Sequence, residues 1–171
     1  MSVLVFDMET TGLLRRGSQL HCIGIRDAEQ ETCDVYDYHS GLDVTEGVER
    51  LANADALVGH NIVNFDIPML QELFPGFTPK GTVIDTLVLS RLYYANIQER
   101  DFEKQPAGMP IRLYGSHSLA AWGYRLKVLK GDYGKQSGAW ETYSPEMKDY
   151  MVQDVEVTTT LWALMERRLN Q

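Results

Sequence analysis

The sequence contains little cysteine, no long apolar run and no excess of basic charge. Its two cysteines, Cys22 and Cys33, lack the spacing of a zinc site, so we expect reduced thiols in a cytoplasmic protein. No apolar run approaches the roughly 20 residues of a membrane span. The start, MSVLVFDMET, has no basic region and predicts no signal peptide. The formal net charge of −8 argues against non-specific nucleic-acid binding through overall charge.

One segment departs from this acidic average. Residues 110–138 contain a single acid, Asp132, and five basic residues: Arg112, Arg125, Lys127, Lys130 and Lys135. A solvated lysine face would explain the segment, and so would a patch that follows the backbone of a polyanion. The sequence leaves both interpretations open.

Length and composition predict one soluble globular domain, residues 1–171, of which 44% is hydrophobic. The pattern of apolar residues and turn signals predicts five strands, at 2–8, 19–27, 32–38, 55–61 and 81–85. Helical spacing and capping signals predict helices at 43–53, 64–74, 86–96, 118–126 and 144–170, whereas 97–115 is predicted to be irregular. The order predicts an α/β fold: a mixed sheet of about five strands, the first three antiparallel, flanked by helices.

Two carboxylates follow the first apolar run, in VLVFDMETTGL. Strand side chains alternate, so Asp7 and Glu9 point to the same side of the sheet. Like charges held that close repel unless a cation lies between them, and oxygen ligands suit Mg²⁺ or Mn²⁺ rather than zinc. The alternative is a strand end in solvent with both acids hydrated, and the D-x-E pattern alone favours this alternative.

Two further acids change this balance. Asp66 opens a predicted helix, where it would also serve as an ordinary capping residue. Asp154 lies within the last helix among apolar neighbours, although Asp is a poor helix former. Tyr150 lies four residues before Asp154 on the same face. A local hydrogen bond would explain this pair, and so would an acid that binds metal beside a hydroxyl that positions a water. If the four acids converge, they form a site for two divalent metal ions, suited to in-line displacement at phosphorus.

Three short motifs carry a family resemblance: FDMETTGL, GHNIVNFD and YMVQD. In this order they resemble the DEDD (DnaQ-like) exonuclease superfamily, whose fold is ribonuclease-H-like. The tyrosine four residues before Asp154 matches the DEDDy subfamily. Two longer stretches, VIDTLVLSRLYYANI and GSHSLAAWGYRLKVLKGDY, are similar to segments of the proofreading domain of bacteriophage family A DNA polymerases.

The resemblance implies a 3′–5′ exodeoxyribonuclease that acts on single-stranded or frayed 3′ ends and releases nucleoside 5′-monophosphates. It implies two Mg²⁺ or Mn²⁺ ions as cofactors, DNA as the partner, and proofreading or DNA degradation in phage replication, hence the host cell cytoplasm. A separately encoded DNA polymerase is a further expected partner. The start MSVLVFD favours a free-standing product over an excised domain. An exoribonuclease of the same superfamily and a non-catalytic module docking on a polymerase are the alternatives.

The resemblance also assigns residues. Asp7, Glu9, Asp66 and Asp154 match the metal-binding carboxylates, and with Tyr150, which would orient the attacking water, they form the implied catalytic set. The implied substrate-binding residues are Thr10, Leu13, Asn61 and Phe65. Core packing is the alternative for Leu13, and turn chemistry is the alternative for Asn61.

Several other residues admit a structural explanation. Asp85 matches a position that supports the site in the family, yet helix capping explains it as well. His60 and His117 are interpreted as structural hydrogen-bonding residues. The larger aromatic residues are predicted to pack rather than to stack on bases; these are Trp122, Tyr124, Trp140 and Trp162.

Overall fold

A single five-stranded sheet organises the computed structural model, which describes residues 1–12, 17–39, 41–128 and 140–169. Its strands are β1 (Val3–Thr10), β2 (Leu20–Asp27), β3 (Asp34–Asp37), β4 (Ala56–Gly59) and β5 (Thr82–Asp85). Their order across the sheet is β3-β2-β1-β4-β5. The first three strands pair antiparallel, and β4 and β5 continue the sheet in parallel with β1. The predicted mixed α/β sheet is therefore confirmed.

Six α-helices are found in the described part of the chain. They are α1 (Val44–Asn53), α2 (Asp66–Leu73), α3 (Thr86–Tyr93), α4 (Ile97–Lys104), α5 (Leu119–Leu126) and α6 (Pro145–Leu169). Short polar side chains define several of their starts, because they accept the backbone N–H groups that a first turn leaves free. Ser144, for example, accepts a hydrogen bond from the Met147 N–H at 3.1 Å, as the predicted cap of the last helix.

The stretch 97–115 differs from its prediction as irregular chain. It contains α4 and a 3-10 turn, Ile111–Leu113. The helix-breaking residues all follow α4, which ends at Gln105 in a left-handed conformation just before Pro106. The sequence IQERDFEK itself consists mainly of good helix formers, so the breakers mark the end of a helix rather than its absence.

The alternating side chains of β1 supply two apolar clusters, one on each face of the sheet. Leu4, Phe6 and Met8 belong to the cluster that also includes residues of α1 and α2. Val5 belongs to the opposite cluster, together with residues of α5 and α6. No helix among the described residues is long and apolar enough to cross a membrane. Cys22 and Cys33 are both free thiols.

Candidate active site

Strand β1 presents its two acids to the face covered by α6. Asp7 and Glu9 share the side-chain parity of Val5, which packs in the cluster containing α6 residues. Glu9 is buried, whereas Asp7 is partly exposed. The apolar strand therefore carries both carboxylates to one side of the sheet, as its alternation predicts.

Helix α6 approaches this face closely because β2 has a glycine opposite Asp7. Gly24 pairs with Asp7 across the antiparallel ladder. A Cβ atom at Gly24 would lie 2.1 Å from Met151 Sδ and 3.1 Å from Val155 Cγ2. The absence of a side chain at position 24 thus allows the segment of α6 that carries Asp154 to lie against the sheet.

Three carboxylates meet where β1 and α6 face each other. Asp7, Glu9 and Asp154 each offer an oxygen, and these oxygens all lie within 4.8 Å of one another. Glu9 and Asp154 are buried, at 8% and 5% exposure. An all-oxygen set of this charge fits a hard divalent cation and not zinc.

Asp66 lies at the same cavity but outside this group of three. It is the first residue of α2 and is 3% exposed. Its Oδ1 atom is buried and has no hydrogen-bond partner among the described residues. Burial raises the pKa of Asp66 to about 7, and the nearby Asp85 carboxylate adds to the shift, against the opposing effect of backbone hydrogen bonds at Asp66 and Met8. A cation would relieve this uncompensated burial, so the residue fits a metal site.

The acid cavity, as we call this space, has a volume of about 240 Å³. It brings together seven of the predicted site residues: Asp7, Glu9, Asn61, Phe65, Asp66, Tyr150 and Asp154. A larger groove of about 640 Å³ shares Asp7, His60, Asn61 and Asp154 with the acid cavity and extends towards α3 and α5. The site is therefore an open groove with a carboxylate-lined end.

One predicted substrate-binding residue among those described does not join this set. Thr10 is buried and absent from the cavity lining, and its hydroxyl donates to the Gly12 carbonyl at 2.7 Å, so its side chain holds the turn after β1. Leu13 lies outside the described residues. Of the remaining two, Asn61 has a φ of +68°, a left-handed conformation that asparagine tolerates, and Phe65 precedes the first residue of α2.

Asp85 caps α3 and also fixes the turn that carries Asn61. It caps α3 by accepting the Leu87 N–H at 2.9 Å. It also accepts the backbone N–H groups of Asn61 at 2.9 Å and Val63 at 3.1 Å. The β4–α2 turn that carries Asn61 is thereby fixed to the end of β5.

The cavity and its groove also contain residues that the sequence analysis did not assign to the site. Trp140 lines the cavity, and its ring meets Tyr150 edge-on with centroids 5.7 Å apart. His60 lines it too, although its Nδ1 is within 2.9 Å of the Thr86 hydroxyl, as expected of a structural histidine. Arg91 and His117 line the adjoining groove. The only signal for these positions was their aromatic or basic character close to a motif.

Comparison with known proteins places this geometry in context. A family profile described as 3′–5′ exonuclease matches residues 1–170. The DNA-directed DNA polymerases of Enterobacteria phage T3 and Escherichia phage T7 are each 34% identical over 98% of the chain. The chain spans 27% of the length of these relatives. Brucella melitensis NrnC with bound Mg²⁺ shares the fold, with a TM-score of 0.67 and 22% identity over 99% of this chain and 74% of that one.

Proposed function

Because the chain belongs to the 3′–5′ exonuclease family, we propose that it removes nucleotides from single-stranded or frayed 3′ ends of DNA as nucleoside 5′-monophosphates. Family membership confirms the predicted resemblance to DnaQ-like exonucleases, and the tyrosine subfamily is part of the proposal. The observation that carries the proposal is the convergence of the Asp7, Glu9 and Asp154 carboxylates within 4.8 Å.

We propose that two divalent metal ions, Mg²⁺ or Mn²⁺, bind these three acids and Asp66. The buried, unpartnered Oδ1 of Asp66 and the raised pKa of this residue support a cation at its side of the cavity. When bound, such ions offset the charge of the scissile phosphate and assist formation of the nucleophile. The carboxylates would hold the ions, and each carboxylate must be deprotonated to bind one.

The remaining side chains position the substrate. Tyr150 lies one helical turn before Asp154, so its hydroxyl would hold the attacking water beside the carboxylates. Glu9 would also accept a hydrogen bond from the terminal 3′-hydroxyl. Asn61 and Phe65 also line the acid cavity, where they would contact the terminal nucleotide.

Two observations support DNA as the substrate and single-stranded ends as the preferred form. The relatives with 34% identity are DNA-directed DNA polymerases, which supports action on DNA beside a polymerase, either in proofreading or in phage DNA degradation. Glu9 and Asp154 are buried, which supports a requirement that a paired terminus unpair before its terminal phosphodiester reaches the carboxylates.

The direct test is incubation of the purified protein with 5′-labelled DNA and RNA oligonucleotides of the same sequence, single-stranded and paired. With Mg²⁺ or Mn²⁺ we expect stepwise shortening from the 3′ end, fastest on single-stranded DNA, and none with EDTA. Asp7→Asn is the inactive control. Absence of shortening under all metal conditions would refute the enzymatic proposal, and faster cleavage of RNA would replace DNA with RNA as the substrate.

A further inference from the structure

A second cleft, of about 650 Å³, is lined by residues of α4, α5 and α6 and shares no lining residue with the acid cavity or its groove. We call it the basic cleft. Its basic lining residues are Arg100, Lys104, Arg125, Lys127 and Arg168. Among the described residues, Asp101 is the only acid that lines it. In a chain with a net charge of −8, this concentration of positive charge is a local exception.

The single acid neutralises only one of these cations. Asp101 accepts two hydrogen bonds from Arg125, at 2.9 and 2.7 Å, and a third from the Gly115 N–H. In the described part of the chain, Arg100, Lys104, Lys127 and Arg168 form no ion pair. Among the residues that the structure describes, the cleft therefore keeps about four positive charges without acidic partners.

Buried donors at the cleft also lack acceptors. The Arg125 side chain is 9% exposed, and its Nη1 has no hydrogen-bond partner among the described residues. Nε1 of Trp122, which also lines the cleft, is likewise buried without a hydrogen-bond partner among the described residues. The Arg125 guanidinium lies over the Trp122 ring, 5.0 Å from its centroid. A buried guanidinium with an unused donor is costly unless an acceptor arrives, and a phosphate oxygen is the acceptor that a guanidinium matches best.

One aromatic ring, that of Tyr94, holds two further guanidinium groups in place. Arg100 lies 5.2 Å and Arg168 lies 4.7 Å from the centroid of the buried Tyr94 ring. Such contacts restrict a long side chain without using its hydrogen-bond donors. The two guanidinium groups thus remain able to bind an anion from the cleft.

Two helices connect the basic cleft to the groove beside the acids. Helix α3 contributes Arg91 to the groove, and Tyr94, just after its end, to the cleft. Helix α5 contributes Leu119 to the groove and Trp122 to the cleft. An eight-residue helix such as α5 is about 12 Å long, so the two spaces are only a few nucleotides apart along an extended strand.

We propose that the basic cleft binds the phosphodiester backbone of the substrate strand, upstream of the 3′ end held by the acids. The inference rests on the proposed function, because it takes the acid cavity as the position of that 3′ end. Arg125 and Lys127 of the basic 110–138 segment would then belong to a patch that follows the backbone of a polyanion, and not to a solvated lysine face. The occupant of the cleft is a nucleic-acid strand rather than an acidic peptide because α5, and α3 with Tyr94 just after its end, line both the cleft and the groove that receives the 3′ end, so one strand can reach both.

The test measures binding in EDTA, where cleavage cannot occur. Fluorescence anisotropy with single-stranded oligonucleotides of 3 and 12 nucleotides would compare the wild type with Arg100→Ala/Lys104→Ala/Arg168→Ala. The matched control is Lys80→Ala/Arg112→Ala/Arg167→Ala, which removes the same charge from exposed positions outside the cleft. Thermal melts would verify that both variants are folded.

We expect the wild type to bind the 12-mer more tightly than the 3-mer. The cleft variant should lose roughly tenfold or more in 12-mer affinity at low salt, with a salt slope smaller by about 2, while its affinity for the 3-mer and its cleavage of the 3-mer with Mg²⁺ stay unchanged. The control variant should lose much less.

Equal losses in the two variants, or equal wild-type affinity for both lengths, would overturn the inference. Cleft-dependent binding of a polyglutamate peptide, with 12-mer binding independent of the cleft, would also overturn it and make the cleft a protein-docking site. Failure of the proposed function looks different, since no variant would then cleave even the 3-mer.

Discussion

Asp154 is a residue at which activity and stability should respond in opposite directions. Its carboxylate lies within 4.8 Å of those of Asp7 and Glu9, so without a cation these charges repel one another. Asp154→Asn should lower the initial cleavage rate roughly 100-fold or more, because a metal ligand is lost. Its melting temperature in EDTA should stay the same or rise. Asp149→Asn, an exposed acid of the same helix, is the control and should change neither quantity.

Asp66 should make the stability of the metal-free protein depend on pH. Its folded pKa of about 7 lies above the ordinary value of 3.8, so between these values the folded state binds more protons than the unfolded state. The free energy of unfolding should therefore fall as pH rises from about 4 to about 7, by on the order of a few kcal/mol. Urea titrations in EDTA would measure this, and Asp66→Asn should flatten the slope. Saturating Mg²⁺ should reduce this loss of unfolding free energy, because a cation favours the deprotonated carboxylate. If Asp66→Asn leaves the pH dependence of the unfolding free energy unchanged, another group is responsible for it.

At the scale of secondary-structure elements, the β4–α2 turn depends on one buried carboxylate. Asp85 caps α3 and accepts the N–H groups of Asn61 and Val63. Asp85→Ala leaves all three donors without this acceptor and should lower the free energy of unfolding by about 3 kcal/mol. Because Asn61 lines the acid cavity, KM for single-stranded DNA should rise as well. Asp43→Ala, which removes only the cap of α1, should reduce stability with KM unchanged.

The close contact between β2 and α6 requires a glycine at position 24. In Gly24→Ala the new Cβ would overlap Met151 Sδ, so α6 must shift away from the acids of β1. We expect a loss of about 1–3 kcal/mol in stability together with reduced cleavage. Met151→Ala makes space for that Cβ, so the double variant should be more stable than the sum of the two single effects predicts. Strict additivity in urea titrations would contradict the overlap.

Elements with a clear period could be predicted from the sequence, and those defined by long-range contacts could not. The alternation of β1 placed Asp7 and Glu9 on one face, and helical spacing placed Tyr150 beside Asp154. Helix α4 was missed because Pro106 and Gly108 dominate the composition of its segment, although both follow its end. The pairing of Asp101 with Arg125 and the approach of Trp140 to Tyr150 depend on tertiary packing, for which a single sequence carries no periodic signal.

At the scale of the whole molecule, the site and the fold should be lost together. Asp7 and Glu9 belong to the central strand, Asp66 follows β4, and Asp154 belongs to a helix that covers the sheet. If the sheet and its helices unfold cooperatively, all of these residues separate at once. Cleavage rate and far-UV circular dichroism, measured across the same urea series, should therefore share one midpoint. An activity midpoint well below the spectroscopic one would indicate that α6 detaches first.

Because α6 packs closely against β2 and comes late in the chain, the carboxylate cluster can form only late in synthesis. A nascent chain that has emerged only as far as β5 and α3 already carries Asp7, Glu9 and Asp66, but neither Tyr150 nor Asp154. Until the last helix leaves the ribosome and settles into the space left by Gly24, the carboxylate cluster is incomplete. Translation thus delays completion of the proposed metal site until the described fold is almost entirely in place.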